Sequence, residues 1–145
     1  IEPLHKEAIH NKGTVLINLN RTREALDCFN EFLVARPQDS NALFNKGLCL
    51  ESFGDKTKAI ECFNEALRYG INDLTILNKI GGQFTLYGDP NRAIKECFQK
   101  ILNEDENNID AMYGMYLAFT KLGNKIESET WHQKYLNART NSASD

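Results

Sequence analysis

Apolar positions along this chain recur every third or fourth residue in stretches of about a dozen, each broken by a short segment rich in glycine, asparagine, aspartate or proline. Leu43, Gly47, Leu50 and Phe53 form one such stripe. Ala59, Ile60, Phe63, Ala66 and Leu67 form the next, with Gly54 and Asp55 between them. Two stripes of helical spacing joined by a tight turn predict a helix-turn-helix hairpin. Gly54, Gly88 and Gly123 stand where the first helix of a hairpin ends in the left-handed conformation, and Asn20 takes that place in the first hairpin. Asp55 and the pair Asp89-Pro90 are expected to start second helices, as N-cap and as proline in the first turn. Pro37 and Gly70 close second helices, and Ser40 and Asp73 are the caps expected for the helices that follow.

The hairpins repeat at a spacing of about 34 residues. Asn11-Lys12-Gly13 returns as Asn45-Lys46-Gly47, and Ala25-Leu26-Asp27-Cys28-Phe29-Asn30-Glu31 returns as Ala59-Ile60-Glu61-Cys62-Phe63-Asn64-Glu65. A third copy keeps Gly81, Gly88-Asp89-Pro90 and Ala93-Ile94. A fourth keeps Ala111, Phe119, Leu122-Gly123 and Leu136, so the match decays towards the C-terminus.

This order of glycine, alanine, aromatic and proline positions resembles the tetratricopeptide repeat (TPR) over almost the whole chain. The resemblance implies an all-α fold, a right-handed α-α superhelix or solenoid of helix-turn-helix hairpins. It implies one domain over 1–145 with repeats at 6–39, 40–73, 74–108 and 109–142, the last degenerate. The small residues expected where paired helices cross are Gly13, Gly47 and Gly81, joined by Ala25, Ala59 and Ala93, with Ser128 as a small substitute. The family's aromatic at the second helix is Phe29 and Phe63, and its helix-ending proline survives only as Pro37. Ile9, Leu43, Leu77 and Met112 replace the usual tryptophan, a swap that a buried site accepts when bulk is kept. Lys12 and Lys46 stand where leucine is usual, and a lysine stem can lie along apolar surface. In the fourth copy Tyr116 replaces the small residue and His132 the aromatic, so that hairpin is expected to pack differently or act as a terminal cap.

The third copy is one residue longer. The extra residue lies either in the polar loop between Asn103 and Asn108 or in a helical bulge that realigns Phe98 with Phe63. The regular stripe Ala93, Cys97, Ile101 favours the loop.

Composition narrows the chemistry. With 41% hydrophobic and 26% charged residues the balance is that of a folded, soluble chain. A net charge of -3, with no basic run interleaved with aromatics, argues against nucleic acid as a partner. No apolar stretch approaches the roughly 20 residues of a membrane span, and Ile1 to His10 lack a signal-peptide pattern. A start without methionine and the polar tail Asn141 to Asp145 are read as an excerpt of a longer protein. Cys28, Cys49, Cys62 and Cys97 all fall in helical apolar patterns without CxxC spacing, which points to reduced core thiols and a cytoplasmic setting. Asn20-Arg21-Thr22 fits the glycosylation sequon, a triplet common by chance, and is discounted in such a chain.

No catalytic residues are assigned. His5, His10 and His132 are scattered, no metal-ligand spacing or phosphate loop is present, and no cofactor is implied. Glu104, Asp105 and Glu106 read as a polar loop. The expected function is instead the one the resemblance carries: a non-catalytic protein-protein interaction scaffold binding a protein or extended peptide on the concave face lined by the first helices of the hairpins. By resemblance that face takes Glu7, His10, Asn11, Thr14, Ile17 and Asn18 from the first copy and Asn41, Phe44, Asn45, Leu48, Glu51 and Ser52 from the second. The third gives Thr75, Asn78, Lys79, Gly82, Thr85 and Leu86, and the fourth Asp110, Tyr113, Gly114, Leu117, Thr120 and Lys121. The ligand-binding set singled out is His10, Asn11, Thr14, Asn41, Phe44, Asn45, Leu48, Asn78, Lys79 and Tyr113.

Asn11 and Asn45 would offer a short amide ladder to a peptide backbone, or else support contacts between helices. Phe44, Leu48, Tyr113 and Leu117 suggest side-chain pockets, or packing against a neighbouring repeat. Some members of the family clamp a chaperone's C-terminal carboxylate. Asn45 and Lys79 fit that clamp, but His10, Thr14 and Thr75 stand where it wants lysine, asparagine and lysine, so this is the lesser alternative. Self-association through the last hairpin, including Trp131 and Tyr135, is the other.

Overall fold

The computed structural model describes residues 2–144, and every regular element among them is helical. The chain divides into two compact units, residues up to Ile71 and residues from Asn72 onward. In the first unit α1 (Pro3–Asn18) pairs with α2 (Thr22–Ala35), and α3 (Ser40–Ser52) pairs with α4 (Lys56–Arg68). In the second, α5 (Leu74–Leu86) pairs with α6, a helix running through Pro90–Arg92, a π-helical turn Ala93–Phe98 and Gln99–Glu104. It is followed by the hairpin of α7 (Ile109–Lys121) and α8 (Lys125–Ser142).

Helices α3 to α8 each begin where a short polar side chain accepts from an otherwise unpaired backbone N–H group, while α1 and α2 have no such cap. The Lys58 N–H donates to Asp55 at 3.2 Å, the Thr75 and Ile76 N–H groups to Asp73 at 2.8 and 3.2 Å, and the Ala111 N–H to Asn108 at 3.0 Å. Ser40 is not the cap expected of it. Asp39 caps α3, accepting from the Ala42 N–H at 2.9 Å, while the Ser40 hydroxyl donates to the Gly70 carbonyl at 2.6 Å and ties the start of α3 to the end of α4. The turns inside the hairpins pass through left-handed backbone at Asn20 (φ 58°) and Gly54 (φ 81°), with Gly88 and Gly123 in the same region.

Each hairpin of the first unit is locked by a phenylalanine against a glycine. A Cβ added at Gly13 would come within 2.8 Å of the Phe29 ring, and one at Gly47 within 2.5 Å of the Phe63 ring. These contacts are too close for any side chain, so the ring fills the space the glycine leaves. Ala25 and Ala59, fully buried, let the second helices approach to the same depth. The aliphatic residues that replace tryptophan are all in the core: Ile9, Leu43, Leu77 and Met112 are buried. Lys12 is exposed and Lys46 half-buried, as a solvated head on an apolar stem requires.

The extra residue of the third copy is in the helix, not in the loop. Gly81 and Phe98 are one step further apart in sequence than Gly47 and Phe63, yet the Phe98 ring lies against Gly81, where a Cβ would come within 2.7 Å of it. The π-helical turn Ala93–Phe98 absorbs the added residue. A straight α-helix would swing Phe98 about 100° away from that glycine. With the turn, Cys97 and Phe98 are both buried, at 0% and 1% exposure. The core contact that a large ring makes outweighs the regular hydrogen-bond ladder.

Candidate functional site

The inner-face residues of the first unit come from α1 and α3. Asn11, Thr14 and Asn41 are exposed, and Asn45 and Leu48 half-buried. The Thr14 hydroxyl donates to the His10 carbonyl at 3.2 Å, within its own helix. His10 is half-buried, its ring 5.6 Å from Phe29 and 5.1 Å from Phe32, and its Nε2 is buried without a hydrogen-bond partner. Phe44 is a correction to the expected face: at 2% exposure it is core, with its ring 5.8 Å from Phe63. It lines no wet pocket, because a large ring packed beside Phe63 gains more from burial than from facing water.

In the second unit the corresponding helices are α5 and α7. Lys79 is exposed, and Asn78 half-buried with its Oδ1 buried and unpartnered. Tyr113 is 42% exposed and lies 5.0 Å from Tyr135 and 5.8 Å from Tyr116. Tyr116 stacks on His132 at 4.6 Å, so in the last hairpin two flat rings stand where the others have glycine and phenylalanine.

A groove of about 500 Å³ opens on this unit. Gly82, Thr85 and Leu86 of α5 form one side, Gly114, Leu117, Thr120 and Lys121 of α7 the other, and Phe98 contributes from α6. Leu86 and Leu117 are 64% and 39% exposed although both are apolar. A Cβ at Gly82 would meet nothing within 4 Å. One at Gly114 would collide with the Phe98 ring, which fixes that glycine as part of the packing and explains its burial on a face expected to be wet. Thr85 is likewise buried, its hydroxyl donating to the Gly81 carbonyl at 3.0 Å. All groove residues except Phe98 belong to the inner face as read from the repeat. The ligand-binding set expected from the sequence takes Asn78, Lys79 and Tyr113 from this unit and none of the groove residues, and the shifted spacing hides Phe98.

Residues 10–73 match the family model of the tetratricopeptide repeat. Over those residues the chain carries tetratricopeptide repeats. The crystal structure of MamA, 19% identical, superposes with a TM-score of 0.85 over 99% of this chain and 84% of that one. A tetratricopeptide repeat protein from Parabacteroides merdae, 22% identical, gives 0.81 over 96% and 54% of the two chains. MamA from Desulfovibrio magneticus, 17% identical, gives 0.79 over 92% and 75%. These likenesses show a common fold of helical hairpins. No curated protein sequence matches the chain.

Among the described residues no helix is long and apolar enough to cross a membrane, and no three of His, Cys, Asp and Glu are grouped to hold a metal ion. All four thiols are free and buried. Burial pushes the Cys49 thiol up to about 11 and the Cys97 thiol up to about 12, and raises Cys28 and Cys62 for the same reason. Neutral, buried thiols are poor nucleophiles. They also make stability depend on pH. An unfolded thiol releases its proton near about pH 8.5, so the stability these groups contribute is complete below that value and is lost as the pH rises towards the folded values. Urea midpoints are expected to fall from about pH 8.5 upward, less steeply in Cys97→Ala; equal slopes in the two proteins would show that Cys97 is not the group responsible.

Proposed function

We propose that the chain is a non-catalytic interaction scaffold that binds an extended segment of a partner protein on the inner faces of α1, α3, α5 and α7. The observation that carries this reading is the apolar groove between α5 and α7, with Leu86 and Leu117 exposed at positions that the repeat turns towards a ligand. The exposed amide of Asn11 and the half-buried amide of Asn45 would pair with a peptide backbone in the first unit. The chaperone-clamp alternative is weakened by His10, whose ring is engaged with Phe29 and Phe32 where the clamp needs a free cation.

Self-association has its own support in α8, which has no fully buried residue and exposes Ile126 at 81%. One experiment separates the readings. Short random peptides displayed on phage are selected on the wild-type chain, and the enriched peptides are titrated against Asn11→Arg, Asn45→Arg and Leu117→Arg, with light scattering at the same concentrations. Loss of binding in at least one variant at constant monomer mass is the expected result. Equal binding by all three would remove the inner faces, and a mass that climbs with concentration would assign the surface to a second copy.

A further inference from the structure

The two units present different chemistry at matching positions of their inner faces. Where the first unit has Thr14, Asn18 and Asn45, the second has Gly82, Leu86 and Gly114, and where the first has Glu51 the second has Thr120. At Gly82 the side chain is missing and at Leu86 an exposed leucine replaces a polar group, while the space beside Gly114 is taken by the Phe98 ring; the result is a groove of about 500 Å³, a volume within the range of ligand-sized clefts. Among the described residues its one charged lining group is Lys121, and no carboxylate lines it. Lys121 and Leu86 are the last residues of α7 and α5, the ends at which helices carry negative partial charge, so an incoming carboxylate at that end depends on the lysine.

From this we infer that the groove of the second unit is a socket for one apolar side chain of the partner segment, leucine- or phenylalanine-like, with an aspartate or glutamate beside it in the partner's sequence to pair with Lys121. The inference rests on the scaffold reading and names the chemistry of its ligand. Gly82 admits the side chain, Leu86 and Leu117 flank it, and the Phe98 ring closes the groove from α6.

Gly82 supplies a clean test, because a Cβ there meets nothing within 4 Å and so does not disturb the helix packing. Peptides enriched from the displayed random library on the wild-type chain are expected to share an apolar residue next to an acidic one. Gly82→Leu fills the socket from within, and its affinity for those peptides is expected to drop about 10- to 100-fold, the value of one buried apolar side chain, without a lower melting temperature. Lys121→Glu, a surface change, is expected to weaken binding about two- to fivefold at low salt, as for an exposed ion pair. Enriched peptides that lack the apolar-acidic pair, or that bind Gly82→Leu as tightly as wild type, would overturn the socket and leave the scaffold standing on the rest of the inner face. A library that enriches nothing on the wild-type chain would remove both.

Discussion

Replacing Phe98 with alanine is expected to lower the unfolding free energy by about 3–5 kcal/mol, against a total of roughly 5–15 kcal/mol for an ordinary domain. The ring is 1% exposed and is wedged against Gly81 on α5 and Gly114 on α7. Large-to-small changes are mildest where neighbours can collapse into the vacated space, and two glycines have no side chains with which to do so. The cavity therefore stays, and three helices of the second unit lose a shared contact. Urea unfolding followed by circular dichroism measures the effect; a loss below about 1.5 kcal/mol would mean that the helices close the gap by moving bodily. Gly114→Ala attacks the same contact from the other side and is expected to cost about 1–3 kcal/mol through overpacking. Gly82→Ala, where an added Cβ meets nothing within 4 Å, is expected to add up to about 1 kcal/mol by helix propensity alone.

Deleting Lys95 should do almost no harm, although removing a residue from the middle of a helix ordinarily rotates everything beyond it by about 100°. The reason is written in the three second helices. Ala25-Leu26-Asp27-Cys28-Phe29 and Ala59-Ile60-Glu61-Cys62-Phe63 match Ala93-Ile94-Lys95-Glu96-Cys97-Phe98 once Lys95 is taken out. The shortened chain can wind as a plain α-helix and still deliver its phenylalanine to Gly81. Deleting Glu61, the equivalent operation on α4, has no π-helical turn to relax, so it throws Phe63 off Gly47 and is expected to cost as much as losing that ring, about 3–5 kcal/mol. Melting temperatures of the two deletions decide the matter: comparable losses in both would show that the π-helical turn serves the fold in some way beyond aligning Phe98.

Much of this was readable in the sequence. Left-handed turns at Asn20 and Gly54 and the caps at Asp55 and Asp73 follow from local chemistry that neighbours a few residues away supply, whereas the phenylalanine that fills each glycine's space comes from the other helix of the hairpin. The position of the third copy's extra residue was not read correctly, because Ala93, Cys97 and Ile101 satisfy a straight helix by themselves while the competing signal lay in the residue-by-residue match around Lys95. A helical period reports which residues share a stripe, and it is blind to a single residue taken up inside the helix. Phe44 departs from expectation for a related reason: its place in the repeat fixes the side of α3 it leaves from, while packing against Phe63 decides where its ring ends. The groove escaped the narrower site selection because it is made largely by side chains that are missing, and a gap between α5 and α7 exists only once those helices are side by side.

The stacked pair Tyr116 and His132 has one further consequence. Flat rings half in water hold α7 and α8 together less firmly than a phenylalanine pressed into a glycine notch, and α8 hides none of its side chains completely. The last hairpin is thus the seam of its unit, where thermal opening starts. A ligand gripping α7 from the groove would pull on that seam, so that a distant strip of backbone on α8 would grow quieter when the groove is filled.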